Sequence, residues 1–147
     1  MIDLDRAYTA GEVKWIRFTV PAAVAAPGNW LDIWTGPSTP VFTSGDTDSA
    51  IFDTAGTKIT EGDDGGPLNA SGFNWYSEYS FGNSTFPRSR DASTNVIGHN
   101  GGLAAGTYWL AVSGYNMTSA TGFSATTSST ATGNIHIKFD YNQPTAP

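Results

Sequence analysis

Residues 134–141 read NIHIKFDY, and their alternation decides the fold class. Ile135, Ile137, Phe139 and Tyr141 share one face of an extended chain, while His136, Lys138 and Asp140 share the other. Side chains of a strand alternate between faces, so this segment reads as a half-buried strand. The same period recurs upstream. EVKWIRFTV (12–20) turns Ile16, Phe18 and Val20 inward, WLDIWT (30–35) turns Leu31 and Ile33 inward, and TYWLAVS (107–113) turns Tyr108, Leu110 and Val112 inward. SAIFDT (49–54), TKITE (57–61), WYSEYSF (75–81) and, loosely, STNVI (94–98) are further strand candidates. Turn formers such as SGDTD (44–48), GDDGGP (62–67), GHNGG (98–102) and ATG (131–133) separate them. PAAVAAPG (21–28) is alanine-rich, but its prolines limit it to one helical turn. Short, regularly spaced strands without helices predict an all-β fold of about eight antiparallel strands, a β-sandwich or jelly roll. One domain is expected over 1–141, with 142–147 as a proline-rich linker or tail.

Composition narrows the partners. Seven basic residues face thirteen acidic ones, a net charge of -6. Nucleic acid and anionic membranes are poor partners on that balance, whereas cations and neutral ligands such as sugars suit it. The chain has no cysteine, which excludes disulfides, a thiolate nucleophile and cysteine-ligated metals. No stretch reaches the apolar length of a membrane span. The opening MIDLDRAYTAG has neither the basic start nor the apolar run of a secretory signal. Asn69, Asn83 and Asn116 each begin a glycosylation sequon, a frequent chance match in a chain rich in Ser and Thr.

The strand phase sets a puzzle. Trp15, Trp30, Trp34 and Trp109 all fall opposite the aliphatic residues of their strands; only Trp75 is in phase, with Tyr79 and Phe81. Two explanations are open. The long segments 62–74 and 82–106 fold back over an outer face, or the indoles form a ligand platform or assembly surface. On the second reading the contact residues are Trp15, Trp30, Trp34 and Trp109, with Trp75, Tyr76 and Tyr115 in support.

The order of segments resembles a known family. EVKWIRFTV, LDIWT, DTDSAIFDTAGTKITEGDDGG and LAAGTYWLAVSGYN succeed one another as in the bacterial pre-peptidase C-terminal domains of exported proteins. The resemblance covers roughly residues 12–116 and the strand at 134–141. It implies a non-catalytic jelly-roll-like sandwich attached to secreted enzymes or displayed at the cell surface. Some relatives take calcium, and some take collagen or other polymers. The chain departs from the pattern between 67 and 106, where an aromatic, Asn/Ser-rich insertion stands, and in the long Ser/Thr-rich run at 119–133.

The acidic turn ITEGDDGGP (59–67) closes a hairpin whose tip is Ala55-Gly56. That hairpin returns Asp63 and Asp64 to the end of the sandwich where Asp46 and Asp48 enter. Carboxylates so gathered repel one another unless a cation or donor compensates. Calcium takes six to eight oxygens, so Asp46, Asp48, Asp63 and Asp64 are the candidate ligands, with Asp3 and Asp5 as outside contributors. The competing reading is an Asx-turn with solvated carboxylates.

Catalysis has little support in the sequence. Asp63 and Asp64 are neighbours, which on extended backbone point apart, and exposed carboxylates lack the burial that raises the pKa of a catalytic acid. His99 lies in a turn and His136 on an outward strand face. No Gly-x-Ser-x-Gly elbow, P-loop, dinucleotide fingerprint or His-Glu-x-x-His motif is present. The expectation is a non-enzymatic extracellular or cell-surface binding domain, calcium-stabilised, for a polysaccharide or protein polymer. The alternative is a surface-layer or fibre subunit that associates with its own copies through the outer aromatic face.

Overall fold

The computed structural model describes residues 2–21, 24, 29–66, 71–82 and 96–142. Among these residues ten strands follow in order: β1 (Ile2–Tyr8), β2 (Lys14–Val20), β3 (Trp30–Pro37), β4 (Thr47–Asp53), β5 (Lys58–Gly62), β6 (Glu78–Gly82), β7 (Gly106–Gly114), β8 (Met117–Ala120), β9 (Ser124–Thr127) and β10 (Gly133–Asn142). One sheet has the order β1-β10-β3-β6, the other β2-β7-β4-β5, and β8-β9 is a separate hairpin. With that hairpin set aside, the interleaving of the two antiparallel sheets is that of a jelly roll. No helix among the described residues is long and apolar enough to cross a membrane.

The core lies where the alternation placed it. Phe18, Val20, Leu31, Ile33, Ile51, Tyr79, Phe81, Tyr108, Leu110, Val112, Ile135, Ile137 and Phe139 form one buried cluster between the sheets, with Ile16 packed against it. Phe18 bridges the layers, its ring 5.6 Å from Tyr108 and 5.1 Å from Phe139. Tyr141 departs from the expectation: it follows the inward phase but sits at the end of β10 and stays 41% exposed.

Three strands lie outside the sequence reading. IDLDRAY (2–8) forms an edge strand against β10, and the Ser/Thr-rich run supplies the β8-β9 hairpin. The candidate strand 94–98 is not borne out where it is described: Ile97–Asn100 form a turn, and 94–95 lie outside the described residues. The strand read at 75–81 begins only at Glu78. Trp75 therefore precedes the alternation it was counted in, and it is 38% exposed instead of inward.

Candidate functional site: an acidic end beside an aromatic patch

A layer of hydroxyls inside the sandwich fixes the backbone that carries the acids. The Thr35 and Thr47 hydroxyls lie 2.6 Å apart across the sheets, and Ser77 N donates to both at 2.9 Å. Ser77 Oγ donates to the Thr47 carbonyl at 2.8 Å, and Ser49 Oγ meets Tyr79 Oη at 2.9 Å. Thr47 separates Asp46 from Asp48, and Gly62, whose carbonyl accepts from Ser49 and Ser77, precedes Asp63. Each bond is modest alone, but buried polar groups that satisfy one another hold a unique backbone path. The loop at 73–76 adds a second clamp: Thr47 N donates to the Trp75 carbonyl, Gly65 N to Asn74 and Gly66 N to Tyr76. A side chain at Gly66 would meet the Tyr76 carbonyl at 2.6 Å, so this approach requires glycine.

The clamp gathers the four predicted carboxylates. Oxygens of Asp46, Asp63 and Asp64 all lie within 4.8 Å of one another. Two oxygens on one calcium ion, each about 2.4 Å away, are separated by at most about 4.8 Å. Asp48 shares a hydrogen bond with Asp63 and accepts from Met117 N through Oδ2. The expectation that Asp63 and Asp64 point apart is not met, because the chain turns at Asp64–Gly65 instead of staying extended. Asp46 Oδ1 is buried and has no hydrogen-bond partner. The carboxylates fit a hard cation: they offer oxygen only, at the right mutual spacing.

Electrostatics records the crowding. Burial, then the charges of Asp63 and Asp64, lift Asp46 to about 6. Burial, the hydrogen bond to Asp48 and the Asp48 charge lift Asp63 to about 6 as well. Asp48 and Asp64 are raised too, chiefly by burial. This corrects the sequence expectation that loop carboxylates here keep ordinary values. Asp3 and Asp5 do not join the cluster. They lie on β1, where Asp3 Oδ1 is 3.3 Å from His136 Nε2 and Asp5 Oδ1 is 3.1 Å from His136 Nδ1. His99 sits in its turn, its Nδ1 2.8 Å from the Val96 carbonyl.

The tryptophans divide. Trp30 and Trp34 do point away from the core, as their phase requires, yet they are 5% and 3% exposed. They share that outer face with buried Asp32, Glu78 and Ser80. Part of the cover is the stretch 98–103: Gly98 N donates to Ser80 Oγ, Asn100 N to the Ser80 carbonyl and Gly82 N to the Gly101 carbonyl. Lys138 Nζ closes over the Trp34 ring at 5.0 Å. As platform residues Trp30 and Trp34 are thus corrected, and so is Tyr76, buried at 1% under Gly66.

Trp15 and Trp109 remain half-buried on the other outer face. They pack with Ala50, Phe52, Ala111, Val13, Met117 and Ala125. Phe123, at the tip of the β8-β9 hairpin, stands 6.0 Å from both Trp15 and Phe52. Trp15, Trp109 and Phe123 line a shallow apolar depression. A second patch flanks the acids. Phe73 and Trp75 stack at 4.5 Å and 7°, both exposed, on the loop bonded to the residues that follow Asp46 and Asp64. Tyr115 is 49% exposed and lines a groove with Asp48, Glu61, Asp63 and Asn116. Phe73 and Phe123 escaped the sequence reading because neither belongs to an alternating segment. Their placement in SGFNW and ATGF, glycine-bearing turns with an aromatic, is the one signal that was there.

No family model, curated protein or solved structure significantly matches this chain.

Proposed function

We propose that this chain is a non-catalytic binding module whose acidic end takes calcium and whose neighbouring aromatics hold a polymeric ligand, a polysaccharide before a protein. The observation that carries it is the convergence of Asp46, Asp63 and Asp64, with Asp48 behind them and one Asp46 oxygen buried without a donor. A divalent cation offsets the repulsion that raises these groups. The stacked Phe73 and Trp75 and the exposed Tyr115 stand at the same end, where flat rings suit the faces of sugars. Both histidines are engaged away from the Asp46, Asp63 and Asp64 cluster, His99 with the Val96 carbonyl and His136 with Asp3 and Asp5, which favours binding over acid–base chemistry at that end. The resemblance to pre-peptidase C-terminal domains supports an extracellular or cell-surface setting, where calcium modules work with dissociation constants of about 0.1–1 mM. The self-associating reading loses ground, since Phe123 and its hairpin already occupy part of the outer aromatic face.

Thermal unfolding tests the cation. Calcium at about 100 times its dissociation constant adds about 2.7 kcal/mol, a rise of roughly 8 °C for a chain of this size. Asp46→Asn and Asp63→Asn should abolish that rise. The pH response gives an independent check. Carboxyls whose folded values lie above their unfolded ones stabilise the fold below the ordinary carboxylate range, and this contribution is lost as pH rises through about 6. In chelator the midpoint should fall between pH 4 and pH 7; in calcium the fall should be reversed. A midpoint indifferent to calcium at pH 7 removes the cation from the proposal. Retention on insoluble polysaccharides should drop for Trp75→Ala and Tyr115→Ala, and equal retention of both would remove the aromatic contact.

A further inference from the structure

The two lateral sides of the sandwich are finished differently. On the β5/β6 side, Ser77 pairs with Gly65 and donates to the Gly62 carbonyl, Asn100 and Gly101 line the edge of β6, and Gly122 N donates to the Gly56 carbonyl. On the other side stand β1 and β2, joined by the short connection 9–13 and running antiparallel, with Lys14 Nζ 5.6 Å above the Tyr8 ring. Among the described residues β1 pairs only with β10 and β2 only with β7. Beyond those pairings, no backbone group of Ile2–Tyr8 or Lys14–Val20 meets another backbone group among the described residues. The Asp5 carbonyl takes the guanidinium of its neighbour Arg6. Between the two open edges lies an apolar groove lined by Ile2, Phe18, Val20, Leu31, Phe139 and Tyr141.

We propose that this side is the interface of a two-fold symmetric dimer, in which β1 of each copy pairs antiparallel with β2 of the other. Edges seven residues long that pair with no further described strand are templates for strand addition. Two symmetric dockings can satisfy both edges. A two-fold axis running across the sheets sets β1 against β1 and β2 against β2. An axis parallel to the strands exchanges the sheets and sets β1 against β2 at both seams. That pairing is antiparallel because β1 and β2 are antiparallel within one copy.

Charge selects the second docking. The centre of β1 is Asp5 and the centre of β2 is Arg17. Like edges centred on each other oppose Asp5 to Asp5 and Arg17 to Arg17, which destabilises a strand pair. Unlike edges centred on each other oppose Asp5 to Arg17. The same register sets Asp3 against Thr19 and Ala7 against Trp15 on the outer face, and Leu4 against Phe18 and Ile2 against Val20 on the inner. Outward residues meet outward residues, and the apolar pairs stand at the Ile2 end, while Arg6 falls against Ile16 and Tyr8 against Lys14 at the other; both sheets continue across the seam with eight strands each and the groove beside Ile2 closes. The occupant is a second copy because the complement of each edge is carried by the other edge of the same chain. None of this rests on the cation or on Phe73, Trp75 and Tyr115.

Light scattering behind size exclusion, on the full chain from about 1 µM to about 1 mM, reads the dimer directly. The wild type should rise to twice 15.5 kDa with concentration. Arg17→Glu opposes two acids at both seams, and Asp5→Arg opposes two cations at both. Each alone should weaken dimerisation about tenfold or more. Mixed in equal amounts they should regain the dimer, since a hetero-pair matches opposite charges at both seams. Arg17 is exposed, so Arg17→Glu leaves the fold intact, and circular dichroism of both variants checks this. A monomeric wild type at about 1 mM, single variants that dimerise like the wild type, or a mixture that stays monomeric would each overturn the proposal.

Discussion

The outer faces of the two sheets carry the same sequence signature and meet opposite fates. On the β1-β10-β3-β6 sheet, Trp30 and Trp34 are buried among Asp32, Glu78 and Ser80. On the β2-β7-β4-β5 sheet, Trp15 and Trp109 stay half open beneath a small hairpin. Alternation decides the direction of a side chain, because the pleat does. It does not decide exposure, because what lies over an outer face comes from elsewhere in the chain. One face has a polar network with tryptophans at its ends; the other has a shallow aromatic depression.

Substitutions can break that contrast, and their expected sizes follow burial. Trp34→Ala should cost about 3–5 kcal/mol, the range for emptying a buried tryptophan site, whereas Trp109→Ala should cost no more than about 2 kcal/mol. Chemical denaturation of the pair measures both, and equal costs would mean that the two faces are covered alike. Ser80→Ala removes a donor 2.6 Å from Asp32 Oδ1 and the acceptor of Gly98 N, and should cost about 1–3 kcal/mol. Hydrogen exchange should then show faster opening at Gly98 and Asn100 than at the strand centres. Phe123→Ala should cost about 1–2 kcal/mol by freeing the hairpin tip, with a red-shifted tryptophan emission as Trp15 becomes wetter. The smallest effect is expected for His136→Ala, below about 1 kcal/mol, because its partners Asp3 and Asp5 are largely exposed.

The fold was legible where apolar and polar residues alternate. NIHIKFDY and EVKWIRFTV announce their inner faces, and the jelly-roll order follows from strands of that kind. IDLDRAY was not legible as a strand, because three of its seven residues are charged and its partner lies at the far end of the chain. MTSA and SATT hold too little apolar surface to signal a hairpin. The acidic cluster was legible because a hairpin with a short tip must bring its ends together, whatever else the chain does. The cover over Trp30 and Trp34 was hidden because 96–103 has no period: its hold on β6 is made by backbone groups, Asn100 and Ser80.

The pairing of β1 with β10 has a mechanical side. Ile2 lies opposite Phe139, so the outer end of the first strand and the last turn of the tenth leave the sandwich together. A pull applied between Ile2 and Asn142 would load the bonds between these strands one after another, as in a zipper, instead of all at once in shear. Such a module yields at low force from that corner, while the Ser77–Gly62 side, stitched across the sheets, carries no load until the first strand has peeled away.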